Sequence, residues 1–398
     1  MHPTDTERLQ VLFQDLFSSK PEAIVSAPGR IEICGNHTDH QNGCAVTGTI
    51  DLDICGAAGR RNDLNVRLIS REYGEVICDL SSLDPDPSEF GTSVSIIRGT
   101  ASRITSLGYE LKGFDAYIES SIPMGSGLSS SAAFEILITG IFSHFYCNDR
   151  ITNKEAAHLS YEVENTFFGK PSGKLDQIAC SYGGICAIDF RNVETPSVTS
   201  VSFDAASHGY SIVIVNVNAD HANLTGEYAS IRKEMNEIAG FFGKDVLREV
   251  DEDSFYKAIP ELRKRFSDRH VIRAHHFFEE NRRAMDIRKC FEENDMDGIL
   301  KIVYESGRSS IQNLQNIYPS FSPSSQAITV ALAISERLLE HGRYGVSRVH
   351  GGGFGGTILS FVSHDRIEEY LKGMKDVFGE DNVIKLNIRP YGFAARDL

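Results

Sequence analysis

Residues 122–145, IPMGSGLSSSAAFEILITGIFSHF, join a loop of small residues to an apolar helix. Gly125 and Gly127 precede three consecutive serines, and apolar residues then recur at helical spacing from Phe134 to Phe145. The first amides of a helix have no intrahelical acceptor and lie at the positive end of its dipole, and glycine lets a bulky anion approach the backbone. The stretch therefore predicts a loop that binds phosphate groups at the start of a helix.

A serine-capped helix after an ordinary loop is the other interpretation of these residues, and it is the commoner one. Three features favour phosphate binding: the density of small residues, Ala132 and Ala133 at the helix start, and the strand-like alternation in residues 114–118 just before the loop. The loop is not of the Walker A type, because no Gly-Lys-Ser/Thr sequence follows its glycines.

The composition is that of a globular protein long enough for two domains, with 398 residues, 41% hydrophobic and 24% charged. A formal net charge of −15 argues against a surface that binds nucleic acid or anionic lipid by charge alone. An anionic nucleotide would therefore need local amides, a basic side chain and a metal ion.

The cellular location is predicted from the cysteines and from the start of the chain. Eight cysteines without a CxxC pair indicate reduced, mostly buried thiols. The first ten residues are too polar for a signal peptide, and no apolar run approaches the length that spans a membrane. We expect a cytoplasmic protein.

A polar island interrupts the β-type alternation between Ala23 and Ile54. Arg30 and residues 36–40, NHTDH, place more hydrogen-bonding groups here than a plain turn requires. A solvated loop is the simpler interpretation. A zinc site is not favoured, because the HExxH pattern is absent.

A second polar break follows a predicted helix. Thr152 and Glu155 form a capping-box pattern, Glu164 lies near the end of that helix, and residues 167–184 turn the chain past Asp176. An acidic residue after a glycine-containing turn is more often a helix cap than a catalyst.

The most glycine-rich segment is residues 346–362, VSRVHGGGFGGTILSFV. It matches GxGxxG, but the residues that follow favour a strand, whereas a dinucleotide fold requires a helix there. A glycine loop between two strands can instead close over a ligand, and a tight hairpin is the simpler alternative. A composition change at residues 204–208 predicts a boundary between domains 1–207 and 208–398.

Taken together, APGR with GNHTDH, then IPMGSGLSSSAA, then GGGFGGT, in this order and separation, resemble the three motifs of the GHMP small-molecule kinases. Within that superfamily the chain is most similar to the galactokinase family, and the likeness runs from Ala27 to Val362. The resemblance implies an α+β fold with a ribosomal-S5-like amino-terminal domain and a ferredoxin-like carboxyl-terminal domain. The active site would lie in the cleft between them.

The resemblance also implies roles for individual residues. Asp176 takes the position of the catalytic carboxylate, and Arg30 that of the arginine facing it. The ATP-binding positions are Gly125, Ser126, Gly127, Leu128, Ser129, Ser130, Ser131 and Ala132. The implied Mg²⁺ ligands are Ser130, Ser131 and Glu164, and the sugar-contacting positions are Asn36, His37, Asp39, Gly173 and Tyr228. The residues that would support the phosphate-binding loop and the nucleotide are Gly351, Gly352, Gly353, Gly355 and Gly356.

Four positions depart from the family pattern. Galactokinases usually carry Glu where this chain has Asn36, Tyr where it has His40, Asn where it has Glu32, and an apolar residue where it has Lys174. Asn36 supplies one negative charge fewer and Lys174 adds a positive one. A sugar pocket with this charge would favour a sugar altered at its C6 end, or an acidic sugar such as galacturonate. Asp39 is retained, which favours a galacto-configured hydroxyl pattern.

The favoured function is therefore ATP-dependent phosphorylation of the anomeric C1 hydroxyl of galactose, by a phosphotransferase that acts on an alcohol group. The alternatives are a GHMP kinase for another sugar or sugar acid, a non-catalytic sensor of galactose and ATP, and, least favoured, a nicotinamide enzyme. A sensor is disfavoured because Arg30, Ser131, Glu164 and Asp176 are all present. We expect the sugar and ATP as ligands, Mg²⁺ as cofactor, no nucleic acid or membrane partner, and a monomer or weak dimer.

Overall fold

A computed structural model of the chain describes residues 3–123, 125–170, 172–218 and 224–398. Within these ranges, helices pack against two β-sheets. In chain order the elements are α1 (Pro3–Phe17), β1 (Ala23–Cys34), β2 (Cys44–Arg60), β3 (Asn65–Ser70), β4 (Gly74–Asp79), α2 (Ser93–Ser106), β5 (Phe114–Ser120), α3 (Ser130–Tyr146), α4 (Asn153–Thr166), α5 (Leu175–Tyr182), β6 (Ile185–Asp189), β7 (Ser197–Val201), β8 (Tyr210–Asn216), α6 (Thr225–Phe241), α7 (Glu252–Arg265), α8 (Asp268–Glu293), α9 (Met296–Ser309), α10 (Ala327–Leu338), β9 (Gly345–His350), β10 (Thr357–Ser363), α11 (Ile367–Phe378), β11 (Val383–Leu386) and β12 (Ala394–Asp397).

The larger sheet has the strand order β12-β1-β2-β5-β3-β4, and β6 and β7 continue from the other end of β2. The long strands β1 and β2 pair antiparallel along most of their length, with register shifts at Pro28/Arg30 and Glu32/Cys34. Such irregularities bend a strand and redirect its side chains, and they are frequent next to active sites. The first shift lies beside Arg30.

Helix α3 is buried on almost every side, as its continuous apolar sequence requires. It packs against β1 and β2 of the larger sheet and against helices α2, α4 and α5. Its first residue, Ser130, follows the glycine- and serine-rich loop directly. The helix therefore fixes that loop against the end of the sheet.

The smaller sheet is antiparallel, with the order β11-β8-β10-β9. Helices α10 and α11 cover one face, and residues of the other face, such as Ile214 and Phe361, join the same hydrophobic core as Val25 of the larger sheet. The predicted boundary at 207–208 falls between β7 and β8. The division into 1–207 and 208–398 stays a prediction, and the structure adds that β12 returns to pair with β1.

Several sequence-based expectations are confirmed. The α+β class is present, the capping box of Thr152 and Glu155 opens α4, and the glycine-rich segment connects two paired strands, β9 and β10. The eight cysteines are free thiols, and six of them are buried. Among the described residues, no helix has both the length and the apolar character needed to cross a membrane.

Candidate active site

Arg30 and Asp176 form an ion pair between β1 and the first turn of α5. The Arg30 Nε and Nη2 atoms lie 2.8 and 2.7 Å from Asp176 Oδ1. The Ser129 hydroxyl donates to Asp176 Oδ2 at 2.7 Å. The Asp176 side chain is 38% exposed and that of Arg30 only 9%, so the carboxylate faces open space from a buried support.

The ionisation of Asp176 follows from these contacts. Burial raises the pKa of Asp176, but the Arg30 charge and the hydrogen bonds from Ser129 and Arg30 outweigh it, and the net pKa is lowered. The carboxylate is therefore ionised at neutral pH. It can accept or orient the proton of a substrate hydroxyl.

The segment of residues 125–132, called here the phosphate loop, alternates between left-handed and other backbone conformations. Gly125, Gly127 and Ser129 have φ values of 68°, 69° and 63°. Ser129 occupies the N-cap position of α3, but its side chain makes no capping bond and is hydrogen-bonded to Asp176 instead. The interpretation of this segment as a plain serine-capped helix is therefore wrong.

Contacts from two other parts of the chain hold the phosphate loop. The Arg30 backbone N–H donates to Leu128 O at 3.1 Å, and its guanidinium donates to Gly127 O. Thr357 Oγ1 donates to Ser126 O at 2.6 Å. The loop backbone is thus fixed from its inner side, while Gly125, Gly127 and Ser131 are exposed. This exposed rim, next to Asp176, is where an anion can approach the start of α3.

Glu164 on α4 is buried, and both of its carboxylate oxygens have partners. Oε1 accepts from Lys170 Nζ at 2.8 Å, and Oε2 accepts from Gln177 Nε2 at 2.7 Å and from the Ser172 hydroxyl. The ammonium group of Lys170 thus stands beside the carboxylate that is predicted to bind a metal ion. Its side chain is 58% exposed, which leaves it room to move away.

The donor set predicted for Mg²⁺ suits that ion. Mg²⁺ prefers oxygen ligands, commonly one or two carboxylates together with substrate phosphates and water. Glu164 supplies a carboxylate, and the half-buried Ser130 and exposed Ser131 supply hydroxyl groups at the start of α3. Lys170 is already paired with Glu164, which indicates that a positive charge is favourable beside this carboxylate.

Asn36 lies in the segment of residues 35–41, called here the first-motif loop, and it has no exposed surface. Its Nδ2 donates to Glu32 Oε1 at 2.8 Å and to Gly351 O at 2.6 Å. Its Oδ1 accepts from Asn316 Nδ2 at 2.8 Å. A direct contact between Asn36 and a sugar would require these bonds to break, so the side chain here holds the loop together.

The departures from the family pattern at positions 32 and 36 belong together, because the two residue types have changed places. Galactokinases usually place Asn and Glu at these positions, whereas this chain has Glu32 and Asn36, hydrogen-bonded to each other. Arg348 Nη2 lies 3.3 Å from Glu32 Oε1. The carboxyl group that is absent at position 36 is therefore present one contact away, at Glu32 beside a buried arginine.

Lys174 does not add positive charge to the sugar side, and that part of the sequence interpretation is wrong. Its Nζ lies 4.6 Å from the centre of the Tyr161 ring and donates to Glu194 O at 3.0 Å. The side chain is 4% exposed. Although Lys174 is two residues from Asp176 in the sequence, its ammonium group lies against Tyr161 and Glu194, where the aromatic ring and a carbonyl stabilise it.

His37 and His40 form a chain of hydrogen bonds with defined direction. His37 Nε2 lies 3.0 Å from Gly352 O, and since a carbonyl only accepts, this nitrogen carries the proton. His37 Nδ1 then accepts from His40 Nε2 at 3.4 Å, and His40 Nδ1 accepts from Gln41 Nε2 at 3.3 Å. Burial lowers the pKa of His37 to about 4 and that of His40 well below its usual value. Both nitrogens of His37 are used within the protein.

Asp39, Gly173 and Tyr228 are the other predicted sugar-contacting residues. A Cβ atom at Gly173 would lie 3.0 Å from Asp39 Oδ2, so the turn before α5 and the first-motif loop meet at this point. Tyr228 packs on Gly352, where a Cβ would lie 2.5 Å from the ring, and its hydroxyl donates to Gly353 O at 3.3 Å. Burial raises the pKa of Asp39.

The glycine loop, residues 351–356, supports the first-motif loop through its backbone carbonyls. Its flanking residue Thr357 provides the contact with the phosphate loop, at Ser126. Gly353 has φ of 79°, and a Cβ there would lie 2.2 Å from Asn316 O, so only glycine allows this approach. The loop is therefore a packed junction between the first-motif loop and the phosphate loop.

Sequence reasoning missed the residues of the carboxyl-terminal half that hold the first-motif loop. Glu280 Oε1 accepts from the backbone N–H groups of Gly35 at 2.9 Å and Asn36 at 3.4 Å, and its Oε2 accepts from Arg283 Nε at 2.7 Å. His276 Nε2 donates to Asn36 O at 3.0 Å. Both residues belong to the charged helix α8, whose sequence gives no signal that distinguishes them from surface residues.

Two family models match the chain. The model described as "GHMP kinases N terminal domain" matches residues 95–184, which include the phosphate loop, Glu164 and Asp176. The "Galactokinase galactose-binding signature" matches residues 12–60, which include Arg30 and the first-motif loop. The two matched regions contribute the two members of the ion pair described above, Arg30 and Asp176.

Full-length relatives and solved structures agree with these matches. The chain is 31% identical to galactokinase of Actinobacillus pleuropneumoniae over 366 residues, which is 91% of this chain and 90% of the relative. It is 30% identical to galactokinase of Glaesserella parasuis over 371 residues, 92% of each. The structure of Lactococcus lactis galactokinase complexed with galactose superposes with a TM-score of 0.80 at 24% identity, covering 98% of this chain and 99% of that one. Methanococcus jannaschii mevalonate kinase has the same fold, with a TM-score of 0.66 at 18% identity, covering 92% and 98%.

Proposed function

The chain belongs to the galactokinase family, and we propose that it transfers the γ-phosphoryl group of ATP to the anomeric C1 hydroxyl of galactose. The observation that carries this proposal is the ionised Asp176, held by Arg30 and Ser129 at the edge of the phosphate loop. A carboxylate beside an anion-binding helix start is the arrangement that a hydroxyl-phosphorylating enzyme requires.

The chemistry assigned to these residues is alignment and charge stabilisation. In phosphoryl transfer the protein does little covalent chemistry, so positioned donors and cations account for most of the rate increase. Asp176 would accept or orient the C1 hydroxyl proton, a contribution of about 10²- to 10⁴-fold. Arg30 keeps that carboxylate ionised and, from the same position, favours negative charge on the attacking oxygen.

We further propose that Glu164, Ser130 and Ser131 hold Mg²⁺ when the nucleotide is bound. The metal ion would neutralise phosphate charge during the transfer. Lys170, which is 58% exposed, would move away from Glu164 in that state, because its ammonium group and the metal ion repel each other. Asp39, Gly173 and Tyr228 would provide the sugar contacts, with Asn36 and His37 keeping the first-motif loop in place.

The setting in which the enzyme works is also part of the proposal. Eight free thiols, mostly buried, suit the reducing conditions of the cytoplasm. A monomer or weak dimer remains our expectation, and size-exclusion chromatography with light scattering tests it.

A sugar acid such as galacturonate is the second candidate substrate. Arg232 lies one turn after Tyr228 on α6, is exposed, and its charge acts on both Asp39 and His40. A carboxylate at C6 of the sugar could pair with this guanidinium. The exchange of Glu32 and Asn36 and the direction of Lys174 remove the other charge arguments for an acidic sugar, so galactose stays the first choice.

The test is an ADP-release assay with a panel of sugars: galactose, galacturonate, glucose and N-acetylgalactosamine. We expect sugar-dependent ADP release with galactose as the best substrate and galactose 1-phosphate as the product. Galactose as the poorest of the four would overturn the substrate assignment, and galacturonate as the best would establish the second candidate. ADP release that no sugar stimulates, with both ligands still bound, would instead indicate a sensor.

A further inference from the structure

Behind the phosphate loop, one glutamine side chain joins three helices. Gln177, next to Asp176 on α5, donates through Nε2 to Glu164 Oε2 on α4 at 2.7 Å and to Glu135 Oε2 on α3 at 3.1 Å. All three of these hydrogen-bonding side chains are buried, with residue exposures of 1% for Gln177 and Glu135 and 3% for Glu164. The cluster therefore connects the proposed metal ligand with the start of the helix that carries the catalytic carboxylate.

Two atoms of this cluster are left without partners. Glu135 Oε1 and Gln177 Oε1 are both buried and accept no hydrogen bond from the described residues. They are the remaining oxygens of a pair that is already joined by the Gln177 Nε2 to Glu135 Oε2 bond. Buried polar atoms are seldom left unsatisfied, so two in one bonded pair call for a common explanation.

A single proton shared between the two oxygens would satisfy both of them. A carboxyl group in its acid form carries one O–H donor, whereas a carboxylate only accepts. A carboxylic acid and a primary amide can form two parallel bonds, N–H···O in one direction and O–H···O in the other. The amide hydrogen next to the Gln177 oxygen is then used by Glu135, and the second amide hydrogen is left for Glu164.

We infer that Glu135 is a neutral carboxylic acid that donates to Gln177 Oε1 and thereby directs the Gln177 amide nitrogen toward Glu164. Glu135 is thus a positioning residue for the proposed metal ligand and for the first turn of α5. The reverse orientation of the amide would place its oxygen against two carboxyl groups.

The surrounding charges agree with a neutral Glu135. Burial and then the Glu164 carboxylate raise the pKa of Glu135 well above its usual value, and Asp176 acts in the same direction. The hydrogen bond from Gln177 and the charge of Lys170 oppose this shift without cancelling it. These are the charged groups that face Glu135 from α4, from the turn after it and from α5.

Infrared difference spectroscopy tests the proton directly, without substrate or metal. At pH 7, the spectrum of the wild-type protein minus that of Glu135→Gln should contain the C=O band of a protonated carboxyl group, and the same subtraction with Glu279→Gln should not. Absence of that band overturns the inference. The effect on activity rests on the proposed function, but this measurement does not, so the two can fail separately.

Kinetics then separate positioning from mere packing. Glu135→Gln keeps a donor for Gln177 Oε1 and an acceptor for Gln177 Nε2, so its kcat and Mg²⁺ requirement should stay within about 2-fold of wild type. Glu135→Leu removes both groups, and loss of a group that orients a metal ligand should raise the Mg²⁺ requirement or lower activity by about 10- to 100-fold. A Gln variant as impaired as the Leu variant, or a Leu variant with an unchanged Mg²⁺ response, would contradict the assignment. If Glu135→Leu does not fold, the Gln variant and the infrared band still decide it.

Discussion

In the first-motif loop, Asn36, Thr38 and Gln41 have no exposed surface, whereas in the phosphate loop Gly125, Gly127 and Ser131 are exposed. The first-motif loop is held by buried side chains of the carboxyl-terminal half, including Glu280, His276 and Asn316. The phosphate loop is held from beneath by Arg30 and Thr357, through its carbonyl groups.

The difference separates two kinds of binding surface. A loop whose polar groups are already paired keeps its shape before the ligand arrives, so binding loses less conformational entropy. A loop that presents exposed glycines and a helix start supplies backbone donors to a charged group instead. We therefore expect changes under the first-motif loop to affect stability and sugar binding, and changes at the phosphate loop edge to affect turnover.

The largest expected effect is on turnover and comes from Asp176→Asn. The variant loses the group that accepts or orients the hydroxyl proton, so kcat should fall by about 10²- to 10⁴-fold. ATP binding should change little, because Asp176 is predicted to contact the sugar rather than the nucleotide. Coupled ADP release gives the rate, and titration calorimetry gives the ATP affinity.

A matched control for that variant is Asp115→Asn. Asp115 also pairs with an arginine, Arg61 at 2.8 Å, but in the part of the larger sheet away from the site. It should retain turnover. Equal losses in the two variants would mean that breaking an Arg–Asp pair, rather than removing the reacting carboxylate, explains the Asp176 result.

The second prediction concerns stability under the first-motif loop. Glu280 is fully buried, and Glu280→Gln removes the nearer charged partner of Arg283, at 2.7 Å, and leaves it Glu279 at 3.8 Å, while weakening the acceptor for Gly35 and Ser306. Removing one member of a buried ion pair should lower the free energy of unfolding by roughly 3–5 kcal/mol. Urea denaturation followed by circular dichroism measures the change.

Glu279→Gln is the control on the same helix, one residue earlier. Its side chain is 32% exposed and forms surface ion pairs with Arg282 and Arg283. It should change the free energy of unfolding by no more than about 0.5 kcal/mol. Comparable losses for both glutamates would show that Glu280 has no special role in holding the loop.

The two loops also differ in how much of them the sequence could predict. The phosphate loop is local: glycine, serine and helical spacing within about twenty residues predicted its position, and α3 begins at Ser130 as that pattern requires. The support of the first-motif loop is not local, because Glu280 contacts Gly35 from 245 residues away in the sequence. No pattern within α8 indicates which of its many charged side chains is buried.

The direction of side chains at turns is a second feature that the sequence does not predict. The residue types at Asn36 and Lys174 were read as changes in the charge of the sugar site, but Asn36 is paired with Glu32 and Lys174 packs on Tyr161. The position of a residue in the sequence indicates that it lies near the site. It does not fix which way the side chain points after a bend in the chain.

The smallest expected effect is a change in how stability depends on pH. Burial lowers the pKa of His276 from 6.5 to about 4, although Glu280 acts in the opposite direction. Between these two values the unfolded chain binds a proton that the folded protein does not, so the free energy of unfolding falls as the pH decreases from about 6.5 toward 4. His37, with a pKa also lowered to about 4, contributes with the same sign.

His276→Gln removes one of the contributions from buried histidines, so the loss of stability on acidification should be smaller than in the wild type. Melting temperatures from pH 7 to pH 5 give the slope, in a range above that in which Asp176, whose pKa is lowered, takes up a proton. His341→Gln, at a side chain 79% exposed, is the control and should leave the slope unchanged. An unchanged slope in His276→Gln would mean that the folded protein accepts a proton at this position. The first-motif loop would then not be the closed, fully paired structure that distinguishes it from the phosphate loop.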